Sequence, residues 1–203
     1  MDVFCADIGS VMNGNFGWFG RLSDGTTVEG IDIAAFATTL ASRIDLGERI
    51  ALGFEAPLFV PLRTDPLEIT RARNGETTPN WIGGPGAAVL ATALAQVPWI
   101  LRDLKSKVSV AARATLEWSE FASERADIFL WEAFVSGPAK GASHIRDAEV
   151  AVRAFVAALP NPPAANAIHE ETVISILGTA MLRTGWSMDL NLLQSPCLVI
   201  KPV

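Results

Sequence analysis

Apolar and polar positions follow two periods along this chain, and the changes between them mark its elements. Val3 to Ile8 is a short apolar run that ends in Asp7-Ile8-Gly9 and reads as a strand. Asn15 to Leu22 is rich in aromatic residues and glycine. Ser23-Asp24-Gly25-Thr26 carries the Asp-Gly dipeptide of tight hairpins, and Thr27 to Ile31 follows as the next strand. The opening is therefore expected to be a three-stranded antiparallel meander. The period then lengthens. Ile33, Phe36, Ala37, Leu40 and Ile44 recur at helical spacing behind Asp32, a residue suited to capping. Ile50 to Phe54 is a buried strand ending in Glu55-Ala56-Pro57. Ala87 to Leu104 returns to a helical pattern interrupted by Pro98, and Ala126 to Val135 reads as a third buried strand with Glu132 inside it. Ile145 to Leu159 is a helix stopped by Pro160-Asn161-Pro162-Pro163, Glu171 to Arg183 looks helical, and Pro196 to Val203 looks like a terminal strand.

This order predicts a mixed sheet rather than a doubly wound one. Residues 61–85, with three arginines, four prolines and a Gly-Gly-Pro-Gly stretch, form an irregular, partly mobile excursion. There is no repeat, heptad or domain boundary, so one domain over 1–203 is expected, which suits a chain of 203 residues.

Composition narrows the function. Half of the residues are apolar and 19% are charged, so a sizeable core can form and global disorder is excluded. A net charge of −6 excludes a generally basic nucleic-acid coat protein but not an enzyme with a local basic patch. Two cysteines, Cys5 and Cys197, cannot build a disulfide framework or a four-thiolate zinc site. The N-terminus lacks the basic start and apolar core of a signal peptide. No uninterrupted apolar run approaches the roughly 18 residues of a membrane span. A cytoplasmic protein with no membrane partner is the expectation. The absence of tyrosine beside 10 Phe and 6 Trp has no physical account.

Four acids stand out against this layout. Asp7 and Glu55 end buried strands, Glu132 lies within one, and Asp147 opens the following helix. Carboxylates at the ends of neighbouring buried strands are costly unless paired or bound to a cation. Two or three converging there make a hard-oxygen site suited to Mg²⁺ or Mn²⁺. Asp147, Ala151, Ala154, Phe155 and Ala158 share one helix face, and its alanines would let that helix lie close to the sheet. Plainer readings stand beside these. Asp7 could be a turn residue before Gly9, Glu55 a loop acid, Glu132 a solvated edge acid, and Asp147 an acid favoured by a helix N-terminus. Arg63, Arg71 and Arg73 could hold phosphate groups or belong to a solvated loop. Gly83 to Gly86 lacks a preceding strand and a phosphate-loop lysine and reads as a loop. The six tryptophans are explained by packing more cheaply than by base stacking.

The motifs Val-Phe-Cys-Ala-Asp-Ile-Gly (3–9), Leu-Gly-Phe-Glu-Ala-Pro-Leu (52–58), Phe-Leu-Trp-Glu-Ala-Phe (129–134) and His-Ile-Arg-Asp-Ala-Glu-Val-Ala (144–151) together resemble the ribonuclease H-like superfamily. Over roughly residues 1–160 the chain looks most like its predicted-nuclease branch of unknown function. The resemblance implies an α/β fold, a ribonuclease H-like mixed five-stranded sheet with an antiparallel meander followed by parallel strands, and helices on both faces. It implies catalytic acids at Asp7, Glu55, Glu132 and Asp147. Asp7, Glu55 and Asp147 would hold Mg²⁺ or Mn²⁺. Two such cations about 3.5–4 Å apart can activate water and stabilise an in-line phosphodiester displacement. Substrate would meet Arg63, Arg71, Arg73, Lys140 and His144. The expected activity is metal-dependent hydrolysis of a nucleic acid or nucleotide phosphodiester, with homo-oligomerisation left open. The alternative from another class is a catalytically silent binding or scaffold protein of the same fold. Half of an actin-like kinase ranks last, because one lobe cannot enclose a nucleotide.

Overall fold

The computed structural model describes residues 1–202. The first strand, β1 (Asp2–Asp7), is buried along its whole length. It pairs antiparallel with β2 (Gly17–Arg21), which pairs with β3 (Thr27–Gly30). The hairpin between β2 and β3 closes where the sequence places it. Asp24 Oδ1 accepts the Thr26 amide at 2.9 Å and the Thr26 hydroxyl at 2.7 Å, and Gly25 supplies a φ of +88°. Helix α1 (Ile33–Asp45) starts with the Asp32 carboxylate accepting the Ala35 amide at 2.7 Å. The chain then enters β4 (Ile50–Glu55), parallel to β1, and β5 (Phe59–Pro61).

Helix α2 (Gly84–Lys107) passes through Pro98 without ending, so the interruption expected there is absent. By length and composition it could cross a membrane, with a mean hydropathy of 1.3 over its most apolar 18 residues. Here it packs on α1 and on α5 (Ile176–Arg183). After the two-residue β6 (Ala114–Thr115) and α3 (Trp118–Ala122), β7 (Ile128–Ala133) runs parallel to β4. Helix α4 (His144–Ala157) follows. The segment from Glu171 to Arg183, expected to be all helix, begins as a strand instead. β8 (Val173–Ser175) pairs with β5, and Ser175 Oγ then caps α5 by accepting the Gly178 amide at 3.0 Å.

The molecule is α/β with a mixed sheet ordered β3-β2-β1-β4-β7. That sheet has seven strands, not five. β6 and β9 (Val199–Ile200) lie end to end along the outer edge of β7, in register with Ile128–Phe129 and Glu132–Ala133 respectively. Two residues are too few to show alternation, so β6 was invisible in the pattern.

Each face of the sheet is dry for its own reason. Phe4, Leu52, Phe54 and Leu130 point to the side covered by α1, α2 and α5. Val3, Cys5, Ala51, Phe129 and Trp131 point to the side covered by α4. Close approach on the α4 side needs glycine. A Cβ on Gly17 would lie 2.6 Å from the Ile145 nitrogen, and one on Gly53 would lie 2.4 Å from the Trp131 ring. Gly17 thus lets the start of α4 rest directly on β2.

Candidate functional site

Strand register decides which acids meet. Asp7 and Glu55 are direct partners across the parallel β1–β4 pair, so both carboxyls leave the same face. They stand at the C-terminal ends of their strands, next to the start of α4. Asp7 is 3% exposed and Glu55 9%. Helix α4 brings the third acid. Ser143 caps it by accepting the Arg146 amide at 3.3 Å, and Asp147 occupies the first turn, buried. The Asp147 carboxylate accepts the Gly141 amide at 2.5 Å, and the Lys140 ammonium lies 3.8 Å away. His144, the first residue of α4, places Nδ1 2.6 Å from Asp7 Oδ2, where Nδ1–H donates to the carboxylate. Asp7, Glu55, Asp147, His144 and Lys140 therefore gather at one end of the sheet, as the sequence reading expects.

Burial dominates the electrostatics of the pair. Burial raises the Asp7 carboxyl above its ordinary 3.8, opposed by the hydrogen bonds from His144 and Glu55, while the Asp147 charge adds to the rise. Glu55 is pushed well above its ordinary 4.5 by burial first and by the Asp7 charge second; Lys140 pulls the other way. Cys5 lies on the same strand face as Asp7, and burial and then the neighbouring carboxylates push its thiol well above the usual range.

Glu132 does not join the other three. In the parallel β4–β7 register it pairs with Phe54, while Glu55 pairs with Ala133, so Glu132 faces away from Glu55, toward α2. Its carboxylate is held there by Arg73, with Nη2 at 2.7 Å and Nη1 at 3.0 Å, and by the Leu58 amide at 2.8 Å. Arg73 also grips Glu76 at 2.8 Å. All three side chains are buried. This ion triad ties the 61–85 excursion to the sheet.

The arginines expected to meet substrate are already engaged. Arg73 is 1% exposed and locked in the triad. Arg63 makes a bidentate pair with Glu170, both contacts at 2.6 Å. Arg71 is exposed and pairs with Glu68 at 2.6 Å. A cavity of about 190 Å³ opens beside Glu55, walled by Pro57, Val89 and Phe134, with the triad and Lys140 on its lining.

Sequence reasoning missed the positioning residues. Gly17 seats α4, and Gly141 holds Asp147 through its amide. The Gln96 amide nitrogen of α2 donates to the Gly9 carbonyl at 2.5 Å and fixes the loop after β1. Among the described residues no three His, Cys, Asp or Glu side chains stand together as a ready metal-binding group. Asp7 and Glu55 nevertheless fit a hard divalent cation by donor chemistry, being adjacent buried oxygen donors. No family model, curated protein or solved structure matches this chain.

Proposed function

We propose that the chain is a divalent-cation-dependent phosphodiester hydrolase of ribonuclease H-like build. One observation carries this reading: Asp7 and Glu55, register partners on adjacent parallel strands, are buried side by side where the start of α4 brings Asp147 and His144. Among the described residues neither acid has a guanidinium or ammonium partner of the kind that Glu132 has in Arg73; Asp7 has His144 alone. The antiparallel meander followed by parallel β4 and β7 supports the same reading.

Asp7, Glu55 and Asp147 would hold Mg²⁺ or Mn²⁺. When bound, such a cation supplies Lewis-acid stabilisation of the phosphoryl oxygens and an activated water. His144 acts through Asp7, orienting that carboxylate through the 2.6 Å hydrogen bond. Lys140, half-exposed at the mouth beside Glu55 and Asp147, is placed to contact a phosphate. Glu132 and Arg73 shape the wall of the cleft and stay out of the chemistry.

The alternative is a binding or scaffold protein of the same build. The observation favouring it is Asp147, which is satisfied by Gly141 and Lys140 without a metal. One experiment separates the two. Wild type and Asp147→Asn are compared with Mn²⁺ on single-stranded, duplex and branched DNA and RNA. Asn keeps the shape and removes the charge, so turnover should drop by orders of magnitude with little change in melting temperature. A variant as active as wild type would remove Asp147 from the mechanism. A wild type that binds Mn²⁺ but cleaves nothing establishes the scaffold reading.

A further inference from the structure

The face of the sheet opposite the acids carries a second concave surface. It lies between α2 and α5, with β8 at one end, and encloses about 880 Å³. Leu94, Pro98 and Trp99 of α2 line one side and Ile174 the other, and no carboxylate lines it. Leu94 and Ile174 are more than half exposed, at 55% and 53%. Only 22% of the most apolar stretch of α2 is buried, so the helix leaves an apolar surface uncovered here.

Two arginines belong to this groove. Arg102 and Arg183 line it, and none of the ion pairs among the described residues uses either one. In a chain of net charge −6, these two guanidinium groups give the groove a local positive charge, with no Asp or Glu among its described lining residues. The hydroxyls of Thr179 and Thr184 are spent, donating to the carbonyls of Ser175 and Ala180, which leaves the guanidinium groups as the only charged donors among the described lining residues.

The polarity is arranged end to end. Leu94 and Arg102 are eight residues apart on α2, about 12 Å along the axis. Trp186 Nε1 donates to the Leu101 carbonyl at 2.8 Å, tying the end of α5 to α2 beside Arg102. Arg183, the last residue of α5 and three residues before Trp186, belongs to the same end, while Ile174 precedes α5 at the other. An acidic helix would meet cations spread along a rim. Here both stand at one end of an apolar trough.

We propose that this groove binds a single-chain amphipathic carboxylate of the fatty-acid class. The head group bonds to Arg102 and Arg183, and the alkyl chain lies over Pro98 and Trp99 toward Leu94 and Ile174. Burying the chain supplies the apolar contribution, and the guanidinium groups supply charge-assisted hydrogen bonds.

The test titrates decanoate, below its micelle concentration, into the full chain. It is read by calorimetry and by the fluorescence lost in Trp99→Phe. Decanol (the same chain without charge) and acetate (the same charge without a chain) serve as comparators. Saturable decanoate binding is expected, with decanol, acetate and an Arg102→Gln/Arg183→Gln variant each weaker by at least about tenfold. Leu94→Asp should weaken it comparably, and melting temperatures show that each variant stays folded. Equal binding of decanol, or an unaffected double-arginine variant, overturns the head-group assignment. So does an acidic amphipathic peptide that binds where decanoate does not saturate. Dimerisation of the chain with the groove closed, seen by light scattering, would give the surface to a second copy instead.

Discussion

At the residue scale, two buried glutamates show how surroundings set the role of a carboxylate. Glu55 has Asp7 beside it and no dedicated cation; Glu132 has Arg73 on both oxygens. Their variants should behave in opposite ways. Because burial and Asp7 raise the Glu55 carboxyl above its ordinary 4.5, the folded protein holds that proton more tightly than the unfolded chain does. Its contribution is fully present below pH 4.5 and is lost as pH rises through the folded value. Without metal, Glu55→Gln should therefore stabilise the protein at neutral pH and flatten the pH dependence. Urea melts across pH 4 to 8 would measure it, and a variant less stable than wild type at pH 8 would count against the carboxyl pair. Glu132→Ala should lose about 3–5 kcal/mol, because it leaves the Arg73 charge buried with only Glu76. A stable but inactive Glu132→Ala would restore Glu132 to the chemistry. Asp7, Glu55 and Asp147 were legible because each ends or opens an element whose apolar pattern is strong. Glu132 lies inside its strand as the pattern indicates, but one residue of register turns it away from Glu55. Which face it takes depends on whether it pairs with Phe54 or with Glu55, and no single strand's pattern contains that information. Arg73 was illegible for the same reason, since its partner lies in a strand distant in sequence.

At the scale of elements, the site depends on how closely α4 lies on the sheet. The alanine-lined face of α4 was visible in the sequence. The glycine that receives it was not, because Gly17 meets α4 only in three dimensions. Gly17→Ala should place a methyl 2.6 Å from the Ile145 nitrogen, and backbone cannot yield there as a flexible side chain would. The expected loss is about 1–3 kcal/mol from overpacking. The helix start should shift as well, loosening the His144–Asp7 bond, so metal affinity should weaken beyond what stability alone explains. Calorimetry with Mn²⁺ on folded variant protein checks this, and unchanged affinity would show that α4 keeps its seat. The meander, α1, β4, β7 and α4 followed from periodicity. β8 did not, because three residues joined directly to α5 lie within a stretch whose overall pattern is helical. The continuity of α2 through Pro98 was also missed. Tertiary packing on α1 and α5 can offset the local penalty of a proline inside a helix.

At the scale of the whole molecule, the sheet divides two kinds of surface. Acids gather on the α4 side, and the apolar groove with its arginines lies among the helices of the other. The acidic site makes the protein's stability answer to both protons and cations, and this gives a test that needs no substrate. Protons and a divalent cation compete for the same carboxyl oxygens of Asp7 and Glu55. At low pH the pair is neutralised by protons and a cation gains little. As pH rises, the metal-free protein loses the stability that proton retention gave it, because both carboxyls are raised in the folded state. A cation bound only by the folded state restores that loss and adds to it by mass action, about 2.7 kcal/mol at a hundredfold excess over its Kd. For a chain of 203 residues this corresponds to a rise in Tm of roughly 5–10 °C. The rise should grow from pH 5 to pH 8, should be largely abolished in Asp7→Asn, and should persist in Arg102→Gln/Arg183→Gln, whose groove lies on the other face. Differential scanning calorimetry with Mn²⁺ at several pH values measures all three. A shift equal in wild type and Asp7→Asn would place the cation elsewhere on the surface. A wild type with no shift at any pH would leave the carboxyl pair as a proton-sharing structural feature and remove the basis for metal-dependent hydrolysis.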